Sequence, residues 1–287
     1  MTNLKFAYFG GEPLGVTALE ELKACGFLPG LIVTNPDRPA GRGHKLTPPP
    51  MKEWGLQHEL PIWQPEDIRV AEDTEKRLSP YDLLVVVAYS KILPQALINR
   101  PKFGTLNLHP SLLPLYRGAS PIRSAILEDN RAAVGVSIML MDEKMDNGPI
   151  LAQKAMPIAD ENWPVDGREL DTALARLGGA LLATVIPDWV AGKITPTEQD
   201  HSVATYCSKF DKSIGELKID PKQLPTGKIA KEMLHKIKAL AGSPGTFFRH
   251  GGKRFKITEA ELTPGGTLNI KRIILSLIHI SEPTRPY

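Results

Sequence analysis

Asn107 and His109 stand two apart in the stretch Asn107-Leu108-His109-Pro110-Ser111-Leu112-Leu113-Pro114, which runs on to Arg117-Gly118. Side chains two apart on an extended segment leave the same face. An amide able to donate to a developing oxyanion is thereby set beside an imidazole that moves protons near neutral pH. Asp146, in Met145-Asp146-Asn147-Gly148, is a third polar group, able to set the imidazole's pose and charge state. No serine or cysteine nucleophile stands beside the three. The set suits acyl transfer to an acceptor that is itself the nucleophile. An amide donor to the oxyanion is worth roughly 3 kcal/mol in comparable sites, and a positioned imidazole relays protons or, charged, helps hold the oxyanion. A lone Asn-x-His is more often a turn or a satisfied core histidine, so the surroundings decide.

Those surroundings read as an α/β protein. Phe6-Ala7-Tyr8-Phe9-Gly10-Gly11 is a buried strand ending in a glycine turn. Helical spacing follows from Gly15 to Gly26, with Leu14, Ala18, Leu19 and Leu22 on one face. Further strands are expected at Leu28 to Thr34, Asp82 to Tyr89, Gly104 to Leu108 and Val134 to Met141. The run Leu83-Leu84-Val85-Val86-Val87-Ala88 is apolar on both faces, as a central parallel strand should be. Strands alternating with helices predict an open, mostly parallel Rossmann-like sheet with helices on both faces. Ligands bind beyond the carboxyl ends of such strands, where Asn107 and His109 fall. Gly10-Gly11 lacks the G-x-G-x-x-G spacing and is read as a tight turn, not a dinucleotide site.

Asp171 to Val190 is strongly helical, with Leu174, Leu177, Leu181 and Val185 in register, and residues 191–205 read as a linker. The domain reading is a catalytic domain over 1–190, this linker, and a basic C-terminal domain over 206–274. In the last, a helix at Thr226 to Leu240 precedes β-like runs around Phe247 and Phe255, with turns at Gly251-Gly252 and Gly265-Gly266. A small OB-like barrel, truncated at its end, is the expectation. Residues 275–287 break this character and are read as a non-native tail.

Of 287 residues 42% are apolar and the formal net charge is +3. No apolar run approaches the roughly 20 residues that span a bilayer. Cys25 and Cys207 match no metal or redox spacing, so no metal and a reducing cytoplasm are expected. Cys207 to Ile273 holds 14 Lys/Arg against 6 Asp/Glu, a local balance of +8, whereas residues 1–206 balance at −5. Such asymmetry points to a polyanion contact through the basic module.

These residues resemble the 10-formyltetrahydrofolate-dependent formyltransferases, from about Phe6 to about Ile257. The family's Ser-Leu-Leu-Pro motif stands as Ser111-Leu112-Leu113-Pro114, and its Asn, His and Asp triad falls on Asn107, His109 and Asp146. The resemblance implies that 10-formyltetrahydrofolate is the co-substrate, contacted by Ser111 to Pro114. Val87, Ala88 and Tyr89, with Ile92 and Leu93, match the segment lining the pterin pocket. The stretch from Asn35 to Leu46 resembles the loop that the tRNA-acting branch lays against the acceptor arm; Arg38, Arg42 and Lys45 would contact phosphate. Gly41 and Gly43 give that loop close approach, and Pro36 and Pro39 limit its disorder. The implied acceptor is therefore the amino group of methionyl-tRNA, the charged initiator tRNA, met by a cytoplasmic monomer that needs no membrane. An amino-sugar nucleotide as acceptor, or hydrolysis to formate, are the alternatives. The chain departs from the family at Gly11-Glu12-Pro13, Ser90-Lys91, Pro110, Asn147, Pro221 and Gly242-Ser243-Pro244, none of which removes a triad side chain.

Overall fold

The structure, a computed structural model, describes residues 4–11, 13–40 and 45–276. Arg42, with Gly41 and Gly43, lies outside the described residues, as do Glu12 and 277–287 of the expected tail. The chain divides into two compact units.

The first unit comprises residues up to Pro121, Ala132–Pro157 and Asp171–Cys207. Its strands are β1 (Phe6–Gly10), β2 (Leu31–Val33), the short pair β3 (Arg38–Ala40) and β4 (Lys45–Thr47), β5 (Ile62–Trp63), β6 (Leu83–Val87), β7 (Thr105–His109), β8 (Arg117–Gly118), β9 (Gly135–Leu140), β10 (Ile150–Ala155) and β11 (Tyr206–Cys207). Seven of them form one sheet in the order β10-β9-β7-β6-β1-β2-β5. Pairing is parallel except where β9 runs against β7 and β10. The chain winds from β1 to β2 and β5 and then returns to lay β6 on β1's other side. The carboxyl ends of β1 and β6 thus form the switch point at which open sheets bind ligands.

Four helices cover this sheet before the site: α1 (Pro13–Ala24), α2 (Pro50–Gln57), α3 (Ala71–Leu78) and α4 (Gln95–Ile98). The alternation of β1 explains both faces. Ala7 and Phe9 pack with Val33, Leu84, Leu78 and Leu97 on the α3–α4 side. Tyr8 points the other way, and its hydroxyl donates to Gly15 O at 2.7 Å. After α5 (Pro121–Leu127), helix α6 (Gly167–Val190) returns to that second face. It lies so close that a Cβ on Gly178 would stand 2.4 Å from Leu108 Cδ1, and one on Gly179 2.4 Å from Ala18 O. By length and composition α6 could cross a membrane, yet Leu174, Leu182, Val185 and Ile186 are buried, as in a core helix. The buried stripe runs through Leu182 and Ile186, while Leu177 and Leu181 of the expected face are half-buried.

The segment read as a linker is no tether. Thr197 and Ile150 exchange main-chain hydrogen bonds of 2.8 and 2.9 Å, Gln199 is buried, and Tyr206-Cys207 pairs in parallel with Arg117-Gly118. The first unit therefore runs to Cys207, past the expected start of the C-terminal domain, because these hydrogen bonds hold the segment on it. We call residues 191–207 the strap.

The second unit gathers Ile122–Arg131, Ile158–Leu170 and the chain from Ser208. Helix α7 (Gly227–Ala239) packs Ala230, Leu234 and Ile237 onto a sheet of β12 (Thr246–His250), β13 (Lys253–Leu262) and β14 (Leu268–Ser276). The three strands form an open antiparallel meander, and the described residues close no barrel. Leu275 and Ser276, the first residues of the expected tail, pair with Phe255 and Arg254 as the end of β14.

Candidate active site

β7 is the site's foundation. Leu106 and Leu108 are buried, and Leu108 packs against Gly178 of α6. That commits the alternate residues, Asn107 and His109, to the opposite face. The strand lies between β6 and β9, in register Asn107 with Val86 and Met139, and His109 with Ser137.

Asp146 meets both side chains. Asn107 Nδ2 donates to Asp146 Oδ1 at 3.2 Å, and His109 Nδ1 lies 3.6 Å from the same oxygen. The other carboxylate oxygen accepts from Gly118 N at 2.8 Å. His109 is 4% exposed, so its ring has little water to turn to. Its Nε2 lies 2.9 Å from Tyr116 O. A carbonyl only accepts, so Nε2 carries the proton and Nδ1 is the edge left to exchange one beside Asp146. Cys207 Sγ donates to the same carbonyl at 3.4 Å, and among the described residues no serine or cysteine hydrogen-bonds to His109.

Ser111 to Pro114 holds this framework with its own polar groups. Ser111 Oγ donates to Leu115 O at 2.6 Å, and Ser137 Oγ donates to Ser111 O at 2.6 Å while accepting from Leu113 N. Leu113 is buried, and Leu112 packs against Gly135, where a Cβ would fall 2.6 Å from Leu112 Cδ2. The segment expected to line the pterin pocket is divided. Val87 and Leu93 are core, Tyr89 packs edge-on to Phe9, and Ile92 is 82% exposed. Burial pushes the Tyr89 phenol up to about 12. The Lys91 amine is held down by burial and donates to Pro65 O and Glu66 O. A flat heterocycle with a formyl arm needs an apolar face and hydrogen-bonding groups at the reacting end. Exposed Ile92, and the Asn107 and Asp146 side chains, are of the kinds that fit it.

Arg38 and Lys45 sit on the two strands of the β3–β4 hairpin, exposed, away from the triad in sequence and on a separate two-stranded sheet. Arg38 pairs with Glu66 at 2.8 Å, both side chains largely in water.

Arg117, at the end of the same motif, is the largest fully buried side chain among the described residues, 1% exposed. Its acceptors are Gln199 Oε1, Asn147 Oδ1, Tyr206 Oη and His201 Nδ1. Gln199, His201 and Tyr206 belong to the strap, whose linker-like composition hid them. The one signal available was a glutamine, a histidine and a tyrosine standing within eight residues of an otherwise unremarkable connection.

An amide, an imidazole and a carboxylate thus meet at the carboxyl edge of an open parallel sheet, a set of groups suited to acyl-group transfer. The chain belongs to the formyl transferase family, which matches residues 17–186. It is 39% identical over 259 residues to methionyl-tRNA formyltransferase of Halorhodospira halophila, covering 90% of this chain and 80% of that one. Against the enzyme of the same name from Chloroflexus aurantiacus it is 43% identical over 218 residues, 75% of this chain and 68% of the relative. Among solved structures, the N-formyltransferase from Helicobacter canadensis in complex with folinic acid and dTDP-3-aminofucose superposes with a TM-score of 0.64, 19% identity and coverage of 91% and 88%. Methionyl-tRNA formyltransferase from Clostridium thermocellum gives 0.56, 15%, and 95% and 97%. At such identities these last two describe the fold alone.

Proposed function

We propose that this protein transfers the formyl group of 10-formyltetrahydrofolate to the amino group of methionyl-tRNA, the step that primes translation initiation. The observation that carries the chemistry is the convergence of Asn107 and His109 on one oxygen of Asp146. The acceptor reading is supported by relatives of 37–43% identity spanning most of the chain, each named methionyl-tRNA formyltransferase.

When bound, the folate supplies the formyl carbon. Asn107 uses one amide hydrogen on Asp146 and offers the second to the formyl oxygen as negative charge grows there. His109 takes the acceptor amine's proton at Nδ1, the edge that its Nε2–Tyr116 bond leaves free. Asp146 then faces the imidazolium so formed and favours it. The amine is the nucleophile, so no covalent enzyme adduct is needed; as the new C–N bond forms, the bond from the formyl carbon to N10 of the folate breaks, and the proton taken by His109 passes to that leaving nitrogen. Ile92, with the loop that follows β6, offers an apolar face to the pterin. Arg38, Lys45 and Arg42 supply cationic contacts to the tRNA backbone, and the basic second unit adds to them. The meeting of all three side chains within one chain supports a monomer, working in the cytoplasm.

The test compares acceptors side by side. The protein is mixed with 10-formyltetrahydrofolate and, in separate reactions, methionyl-tRNA, a dTDP-amino sugar, or no acceptor. Formylmethionyl-tRNA should be the product. Faster formylation of the sugar, or formate released equally well without acceptor, would overturn the reading.

A further inference from the structure

We infer that Arg117 and Gln199 form a positioning pair that fixes the turn carrying Asp146, so that a strap residue sets the rate of the reaction. The inference rests on the function proposed above and extends it to residues outside the triad.

Gln199 is 5% exposed and spends its whole hydrogen-bonding capacity on Arg117, Asp146 and Gly148. Its Oε1 accepts from Arg117 Nε at 3.1 Å and Nη2 at 2.7 Å. Its Nε2 donates to Asp146 O at 3.0 Å and to Gly148 O at 2.7 Å. A primary amide is the only natural side-chain group that accepts on one atom and donates twice from the other in this way. Arg117 also reaches the same turn directly, through Nη1 to Asn147 Oδ1 at 3.0 Å. Asn147 in turn donates to Asp142 Oδ2 at 2.8 Å.

The turn needs such a grip. Asp146 has φ +52°, a left-handed backbone that persists only where its surroundings impose it. Both its oxygens are committed: one to Asn107 and His109, the other to Gly118 N, the residue next to Arg117. A small rotation of this turn would move the carboxylate away from His109 Nδ1. The guanidinium itself is buried and, among the described residues, hydrogen-bonds to no carboxylate, an arrangement stability alone does not favour. Its geometry is explained by what it holds.

Gln199→Glu separates holding Arg117 from holding the turn. A glutamate keeps the acceptors for Arg117 and gains an ion pair, but it has no hydrogen to give to Asp146 O or Gly148 O. Expected are a fall in kcat of about 10- to 100-fold with KM for both substrates unchanged, a Tm no lower than the parent's, and faster hydrogen exchange at the Gly118 amide with β7 amides at parent rates. Parent values of kcat, or of Gly118 exchange, would overturn the inference. So would a general rise in exchange through β7, which would make Gln199 a stability residue only. If the parent itself fails to formylate methionyl-tRNA, the functional reading falls, and the Gly118 exchange comparison still decides whether Gln199 holds the turn.

Discussion

Nδ1 of His109 lies 3.6 Å from Oδ1 of Asp146, one residue from the end of β7 and the other from the turn between β9 and β10. Neither sequence neighbours nor strand pairing alone bring them together: β9 passes His109 at Ser137 and runs on toward the amino end of β7, and the segment after it is held at the site by Gly118 N and Gln199 Nε2. Asp146→Asn keeps the shape of the turn, since asparagine also tolerates a left-handed backbone. It removes the charge facing the imidazole, so kcat for formylation should fall by about 100-fold with Tm near the parent's. A variant as active as the parent would remove Asp146 from the mechanism.

Gly118 has φ +120° and carries the amide that binds Asp146. A Cβ there would stand 2.1 Å from Cys207 O, a backbone atom with nowhere to go. Gly118→Ala should cost about 2 kcal/mol or more by parting β8 from β11, seen as a Tm lower by about 5 °C together with reduced kcat. An unchanged melting curve would contradict the strap's role in the first unit.

In the second unit, the Lys231 ammonium, and then the Trp163 N–H, hold the Asp129 carboxyl below its ordinary value. Both bonds are 2.7 Å long. A carboxyl whose folded value is depressed adds stability above its unfolded value of about 3.9 and loses it as pH falls through the folded one. Parent and Asp129→Asn should therefore differ in Tm at pH 7, and the gap should close in acid below about pH 4. A gap that stays constant with pH would mean that the charge is not what stabilises.

Arg38 and Lys45 reach solvent from the β3–β4 hairpin, and the Arg38–Glu66 pair is too exposed to hold Arg38 back from a polyanion. The double variant Arg38→Ala/Lys45→Ala should raise KM for methionyl-tRNA by about tenfold, more steeply at low salt, and leave KM for the folate alone. An equal rise in both would point to a folding defect in the hairpin.

What could be read from the sequence follows the strength of each local signal. The apolar run ending at Val87 forms β6, and Thr105 to His109 forms β7 with the alternation that faces Asn107 and His109 together. α7 keeps within one residue of its expected ends. Less legible were elements defined by partners rather than by pattern. β10 buries only Leu151 and reads as an ordinary polar stretch until β9 lies beside it. The strap is polar and proline-containing, as linkers are. Its order comes from Gln199 and Tyr206 meeting Arg117, residues more than eighty positions earlier. No periodicity encodes such a contact. The three candidate residues were legible because their types belong to a chemistry; their support was not, because Arg117 stands in the motif but nothing there says that Gln199, His201 and Tyr206 will meet it.

In the proposed reaction His109 moves the proton of the attacking amine. The most direct measurement is the rate at which saturating parent enzyme and His109→Ala, both shown to be folded, form formylmethionyl-tRNA from bound substrates in a single turnover. A loss of about 1,000-fold in that rate is expected. A His109→Ala enzyme that formylates charged initiator tRNA close to the parent rate would contradict it.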